Sequence, residues 1–176
     1  MTTLSALTNP ASYHLLSYGT LLGSTLFQSF IGGIIAFRVL PRPQFSVLQQ
    51  HTFPTYFTLQ SIAPVVLALT YPGGRGGFTA IYEGEGNKLV IGLFATMFVT
   101  AVANWVWLGP ATTRCMQERK HQETRDGKKP YDAGPHSVEM ERLNKKFSAL
   151  HGASSLLNLC TFIAVVWYGF VLGERV

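Results

Sequence analysis

The stretch Leu89–Leu108, LVIGLFATMFVTAVANWVWL, decides the fold. It holds no Asp, Glu, Lys, Arg or His, and at 1.5 Å per helical residue it reaches about 30 Å, the thickness of a bilayer's hydrocarbon core. Buried strands of soluble folds are far shorter. Three more blocks of the same kind surround it. His14–Phe37 has no formal charge when its histidine is neutral, Phe53–Tyr71 is near the minimum span, and Phe147–Leu172 holds no Asp, Glu, Lys or Arg and one histidine, His151. No segment alternates polar and apolar residues over ten positions, which excludes a membrane β-barrel. The chain reads as a single all-α transmembrane domain over residues 1–176. It is an integral membrane four-helix bundle with spans at 14–37, 53–71, 89–108 and 147–172 and a long cytosolic helical loop at 109–146.

Composition agrees with that reading. Charged residues are 13% of the 176, about half the usual share for a soluble domain, and two cysteines, Cys115 and Cys160, exclude a disulfide scaffold. The first block lacks a basic n-region and is too long for a cleaved leader, so a retained signal-anchor is expected. No lipidation box or Asn-x-Ser/Thr sequon occurs.

The net charge of +5 by itself fits either a membrane or a nucleic acid. Sorting the charges by side resolves it in favour of the membrane. The loop Arg38–Thr52 holds two basic residues and Gly109–Lys146 holds nine, against Arg75, Lys88 and Arg175 on the other side. The positive-inside rule then places both basic loops in the cytosol and both termini on the non-cytosolic side of an endomembrane or plasma membrane. The excess charge attracts anionic headgroups, so the expected partners are membrane lipids rather than nucleic acid. Within the long loop, Ala111–Arg125 continues the third span as a polar helix, and Asp126–Pro130 with Gly134-Pro135 breaks it. A short second helix starts at Ser137, with Glu141 set four before Lys145. On the outer side, Pro72–Gly77 and Glu83–Gly86 form a flexible Gly-rich connection without the Lys-Ser/Thr of a phosphate loop.

Polar residues in the spans recur at helical spacing: Ser148, His151, Ser155 and Asn158 in the fourth, Thr96, Thr100 and Asn104 in the third, Ser17, Ser24 and Gln28 in the first, and Gln60 just before Pro64 in the second. Such residues either bond helix to helix or line a polar cavity. Gly19 and Gly23 form a GxxxG pair and Gly152 opens the fourth span, a pattern for close helix crossing within the bundle or in a homo-oligomer. Tyr13, Tyr18, Trp105, Trp107, Trp167 and Tyr168 sit near span ends, as an aromatic belt requires. His14 and His151 open their spans on opposite sides, which argues against a shared haem. His51, His151, Cys115 and Met116 share the cytosolic side, but at no known metal-site spacing. The spans hold no Asp or Glu, so no catalytic constellation, metal or cofactor is assigned.

Several strings carry a family likeness. They are His14-Leu15-Leu16, Phe37-Arg38-Val39-Leu40-Pro41-Arg42 with Phe45, Phe53-Pro54-Thr55-Tyr56-Phe57, Asn104 through Trp107-Leu108-Gly109-Pro110-Ala111-Thr112-Thr113 with Met116, and His151 through Leu159. In this order they resemble the small eukaryotic four-span family that includes transmembrane protein 205. That resemblance implies a membrane protein linked to platinum-drug resistance through export or vesicle traffic, with no assigned reaction. The expected function is transport- or traffic-related, with a cytosolic-side vestibule for a small solute or lipid headgroup. Arg38 and Arg42 would supply positive charge there, and Asn104, His151, Ser155 and Asn158 polar contacts. In the alternative, a trafficking adaptor, these residues only hold the bundle and the cytosolic loop recruits a protein partner. A lipid enzyme with His151 as base is weaker still, and the chain is expected not to be an enzyme.

Overall fold

A computed structural model of the chain describes residues 7–72, 77–83 and 87–174. The predicted Gly-rich connection, with Arg75, lies largely outside them, as does Arg175. Among the described residues four long helices and one short one make up the fold: α1 (Pro10–Val39), α2 (Arg42–Leu69), α3 (Gly77–Glu83), α4 (Asn87–Asp126) and α5 (Val138–Gly173). No strand occurs among the described residues. The four long helices are each apolar and long enough to cross a membrane. The protein is an all-α, multi-pass membrane four-helix bundle with a helical hairpin between its third and fourth spans.

Local chemistry explains the ends. Asn9 caps α1, its side-chain oxygen accepting from Ala11 N at 3.0 Å with Pro10 at the first helical position. Two loop expectations need correction. The first polar loop is no loop beyond Leu40-Pro41, because Pro41 ends the turn and α2 begins at once at Arg42. The expected short helix at Ser137 is not separate either. Ser137 does cap it, accepting from Met140 N at 3.2 Å, but the helix runs unbroken through the fourth span to Gly173. The ion pair at its start is Arg142 to Glu139, at 2.6 Å, in place of Glu141 to Lys145. It holds the exposed Glu139 carboxyl below its ordinary range.

Outward faces carry exposed large side chains such as Leu16, Ile35, Val99, Ile163 and Phe170, the surface that a hydrocarbon solvent accepts. Inside, Leu21, Leu67, Val90, Met97 and Val165 are fully buried, one or two from each spanning helix. They form the apolar layer in the half of the bundle nearer the termini.

The hairpin is a packed extension of α4 and α5. Gly109–Asp126 adds about 27 Å beyond the span. Cys115, Met140 and Leu143 are buried between the two arms, and the Cys115 thiol points at the Leu143 carbonyl at 3.6 Å. Arg119 Nε donates to Asn144 Oδ1 at 2.9 Å while its guanidinium lies 4.4 Å over the Phe147 ring, and Lys146 pairs with Glu118 at 2.9 Å. Gly127 ends α4 in the left-handed conformation, φ 61°.

Candidate intramembrane polar site

Three helices bring five polar side chains together in the hairpin-side half of the bundle. Thr25 and Ser29 come from α1, Tyr56 and Gln60 from α2, and Asn158 from α5. Tyr56 Oη donates to Asn158 Oδ1 at 2.7 Å, and Asn158 Nδ2 donates to Ser29 Oγ at 2.6 Å. Gln60 Nε2 lies 2.7 Å from Tyr56 Oη, 3.2 Å from Thr25 Oγ1 and 3.2 Å from Asn158 Oδ1. An amide nitrogen has two protons, so these three acceptors share them. Its other atom is different: Gln60 is fully buried, and its Oε1 has no partner. Pro64 sits four residues on and lacks an N–H, so the Gln60 main-chain carbonyl also loses its helical donor. Acceptor capacity is concentrated at one residue in the interior.

Both flanking helices depart from α geometry at this depth. α1 is a π-helix over Phe27–Gly32, which contains Ser29, and α4 over Asn104–Leu108. Single π turns inside α-helices recur at functional sites. In α4 the cause is local. Pro110 cannot donate to Val106, and Gly109 N instead reaches back to the Asn104 carbonyl. A Cβ at Gly109 would stand 2.7 Å from that oxygen, so the turn requires glycine. The π turn holds Asn104 fully inside, with Nδ2 donating to the Ser154 carbonyl at 3.2 Å and Oδ1 lacking a partner. Thr100 and Thr161 join α4 to α5 at 2.7 Å, one turn nearer the termini.

A second polar group closes the opposite end. Thr70 gives its hydroxyl proton to the Val66 carbonyl at 2.7 Å, so it accepts from His14 Nδ1 at 3.1 Å. His14 Nε2 is then the acceptor of the Tyr168 hydroxyl at 2.6 Å. His14 is buried and meets Tyr71 and Tyr168 edge-on. The Leu21, Leu67, Met97 and Val165 layer lies between this group and Gln60.

The six residues expected to line one vestibule are not gathered. Asn158 and Asn104 face the interior, on different partners. Ser155 is exposed, His151 is exposed and stacked on Phe147 with ring centroids 5.7 Å apart, Arg38 is exposed, and Arg42 sits 3.6 Å over the Phe37 ring. The helix-packing glycines are corrected within the chain: a Cβ at Gly19, Gly23 or Gly152 would meet nothing within 4 Å. The close approach is at Gly169, where a Cβ would run into the Tyr18 phenol. Thr25 and Ser29 carry no signal in the sequence, and Tyr56 stands there only within the string Phe53–Phe57, although it is one helical turn before Gln60. Among the described residues no three of His, Cys, Asp and Glu come together as metal ligands, and His51, Cys115 and His151 do not meet.

The family model for a domain of unknown function, DUF4149, matches residues 16–121. The chain belongs to the DUF4149 family. The match spans α1 through the α4 extension and leaves Asn158 outside it. The chain is also similar to "Xanthocillin biosynthesis cluster protein D" of Aspergillus fumigatus, with 33% identity over 171 residues, 97% of this chain and 94% of that protein. No solved structure matches. Neither description mentions transmembrane protein 205, so that resemblance rests on the motifs quoted above.

Proposed function

We propose that this DUF4149 protein binds a small solute bearing hydrogen-bond donors inside the membrane, as part of a transport-related role, with Gln60, Tyr56 and Asn158 as its contacts. The supporting observation is the bare Oε1 of a fully buried Gln60 within a polar cluster. An unpaired buried acceptor costs about 1–3 kcal/mol unless something donates to it. The apolar layer at Leu21, Leu67, Met97 and Val165 fits a state closed toward the terminal side. The relative's name ties that protein to a biosynthesis cluster, and carried over to this chain it makes the solute a small metabolite.

The hairpin favours a second reading as an adaptor, because its arms project well beyond the span and are pinned by Arg119, Asn144, Glu118 and Lys146. Mass spectrometry of small molecules released from protein purified in nanodiscs distinguishes the two. The solute reading expects one stoichiometric species, lost in Gln60→Leu protein that remains folded. It also expects cells carrying Gln60→Leu to change their internal-to-external ratio of that species. Absence of any released species, or its full retention by Gln60→Leu, removes the solute reading. Loss of partner recovery on deleting 127–136 would then favour the adaptor.

A further inference from the structure

Outside the polar site, α2, α3 and α4 enclose an apolar groove of about 380 Å³, lined by residues such as Ala68, Phe78, Ile81, Ala95 and Phe98. We propose that it holds one acyl chain of an anionic phospholipid from the leaflet on the terminal side, with the headgroup at Lys88.

The placement is set by the chain. Gly77 has φ 58°, and its N–H donates to the Tyr71 carbonyl at 3.1 Å, which ties the start of α3 to the end of α2 beside the groove. Asn87 Nδ2 donates to the Ala80 carbonyl at 2.9 Å and fastens α3 to the start of α4. The α4 wall is Ile91, Phe94, Ala95 and Phe98, and Lys88 lies outside the groove on the same helix face, three residues before Ile91. From Lys88 to Phe98 is about 15 Å along the helix, half of the ~30 Å hydrocarbon core and so the depth of one leaflet. The Cα–Cβ bonds of α4 tilt toward its N-terminus, so Lys88, exposed, extends away from the hydrocarbon to the headgroup level. It is the one cation at the terminal end among the described residues. An apolar slot open to lipid has no water to fill it, and left empty it forfeits the dispersion contacts of its walls. A lipid chain one leaflet deep restores them, and its phosphate meets the ammonium.

Native mass spectrometry tests this on the full-length protein in detergent, offered equal amounts of phosphatidylglycerol and phosphatidylcholine. The expected result is one retained phospholipid per protein, with phosphatidylglycerol favoured about fivefold, the effect of one lysine near a headgroup. Lys88→Gln, a surface change, should bring that ratio to about one. Ala95→Phe, which fills the groove, should cut retained lipid about tenfold. Ala95→Leu serves if the larger side chain prevents folding and should reduce retention in the same direction. Wild-type protein that retains no lipid, a preference that survives Lys88→Gln, or undiminished retention in the folded Ala95 variant overturns the proposal.

Discussion

Tyr56 donates to Asn158 and lies 2.7 Å from the Gln60 amide, so one phenolic oxygen joins α2 to α5. Tyr56→Phe removes both bonds, together with the 3.3 Å contact of the same oxygen with Ser29 Oγ on α1, without changing shape. Intramembrane hydrogen bonds are worth about 0.6 kcal/mol on average and about 1.7 at most. The variant should therefore lose roughly 1–2 kcal/mol, measured as a lower midpoint of unfolding in mixed micelles. Glycines give a sharper contrast. Gly169→Ala drives a methyl into the Tyr18 phenol and should cost about 1–3 kcal/mol by overpacking. Gly19→Ala meets open space and should stay within about 0.5 kcal/mol of wild type. A ranking in which Gly19→Ala is the more damaging would mean that the Gly19 face is covered by another copy of the chain. Sequence singled out Gly19 and Gly23 because GxxxG is a spacing rule, and spacing does not say whether a second helix is present at that face.

At the scale of the element, the departure from regular α geometry in α4 comes from Pro110 and Gly109. Gly109→Ala places a methyl against the Asn104 carbonyl and should destabilise by about 1–3 kcal/mol. By disturbing the π turn it should also expose the Asn104 segment to amide hydrogen exchange, which the Gly19→Ala control leaves unchanged. The lengths of the helices were partly legible. The uncharged blocks found each span, and the helix formers of Ala111–Arg125 predicted the extension of α4. The start of α2 at Arg42 was hidden because Arg42–Thr52 is too polar to read as span. In α5 the face Ser148, His151, Ser155 and Asn158 has a helical repeat, yet only Asn158 is covered. Periodicity groups residues on a face, and a neighbouring helix decides which turn of it is buried.

For the whole molecule, the basic loops predict that the hairpin is cytosolic and the termini are not. Lys129→Cys, at the exposed tip of the hairpin, tests this in a background with Cys115 and Cys160 replaced. A membrane-impermeant maleimide should label it once the plasma membrane alone is permeabilised, and labelling of intact cells, or labelling only after internal membranes are opened as well, would invert the topology. The native Cys115 is a poor reporter because its thiol is buried against Leu143, and it should label many-fold more slowly than Lys129→Cys. Four spans, their order and the asymmetry of charge were determined by the sequence, because transfer into hydrocarbon depends on the apolar content of a local segment and orientation on local counts of Lys and Arg. Only the tertiary structure decided that Gln60, Tyr56, Ser29, Thr25 and Asn158 meet, that His14 pairs with Tyr168, and that Arg38 and His151 join neither group. Those contacts join residues far apart in the chain, up to 154 positions for His14 and Tyr168. They depend on how each helix is rotated against its neighbours, which no single segment encodes.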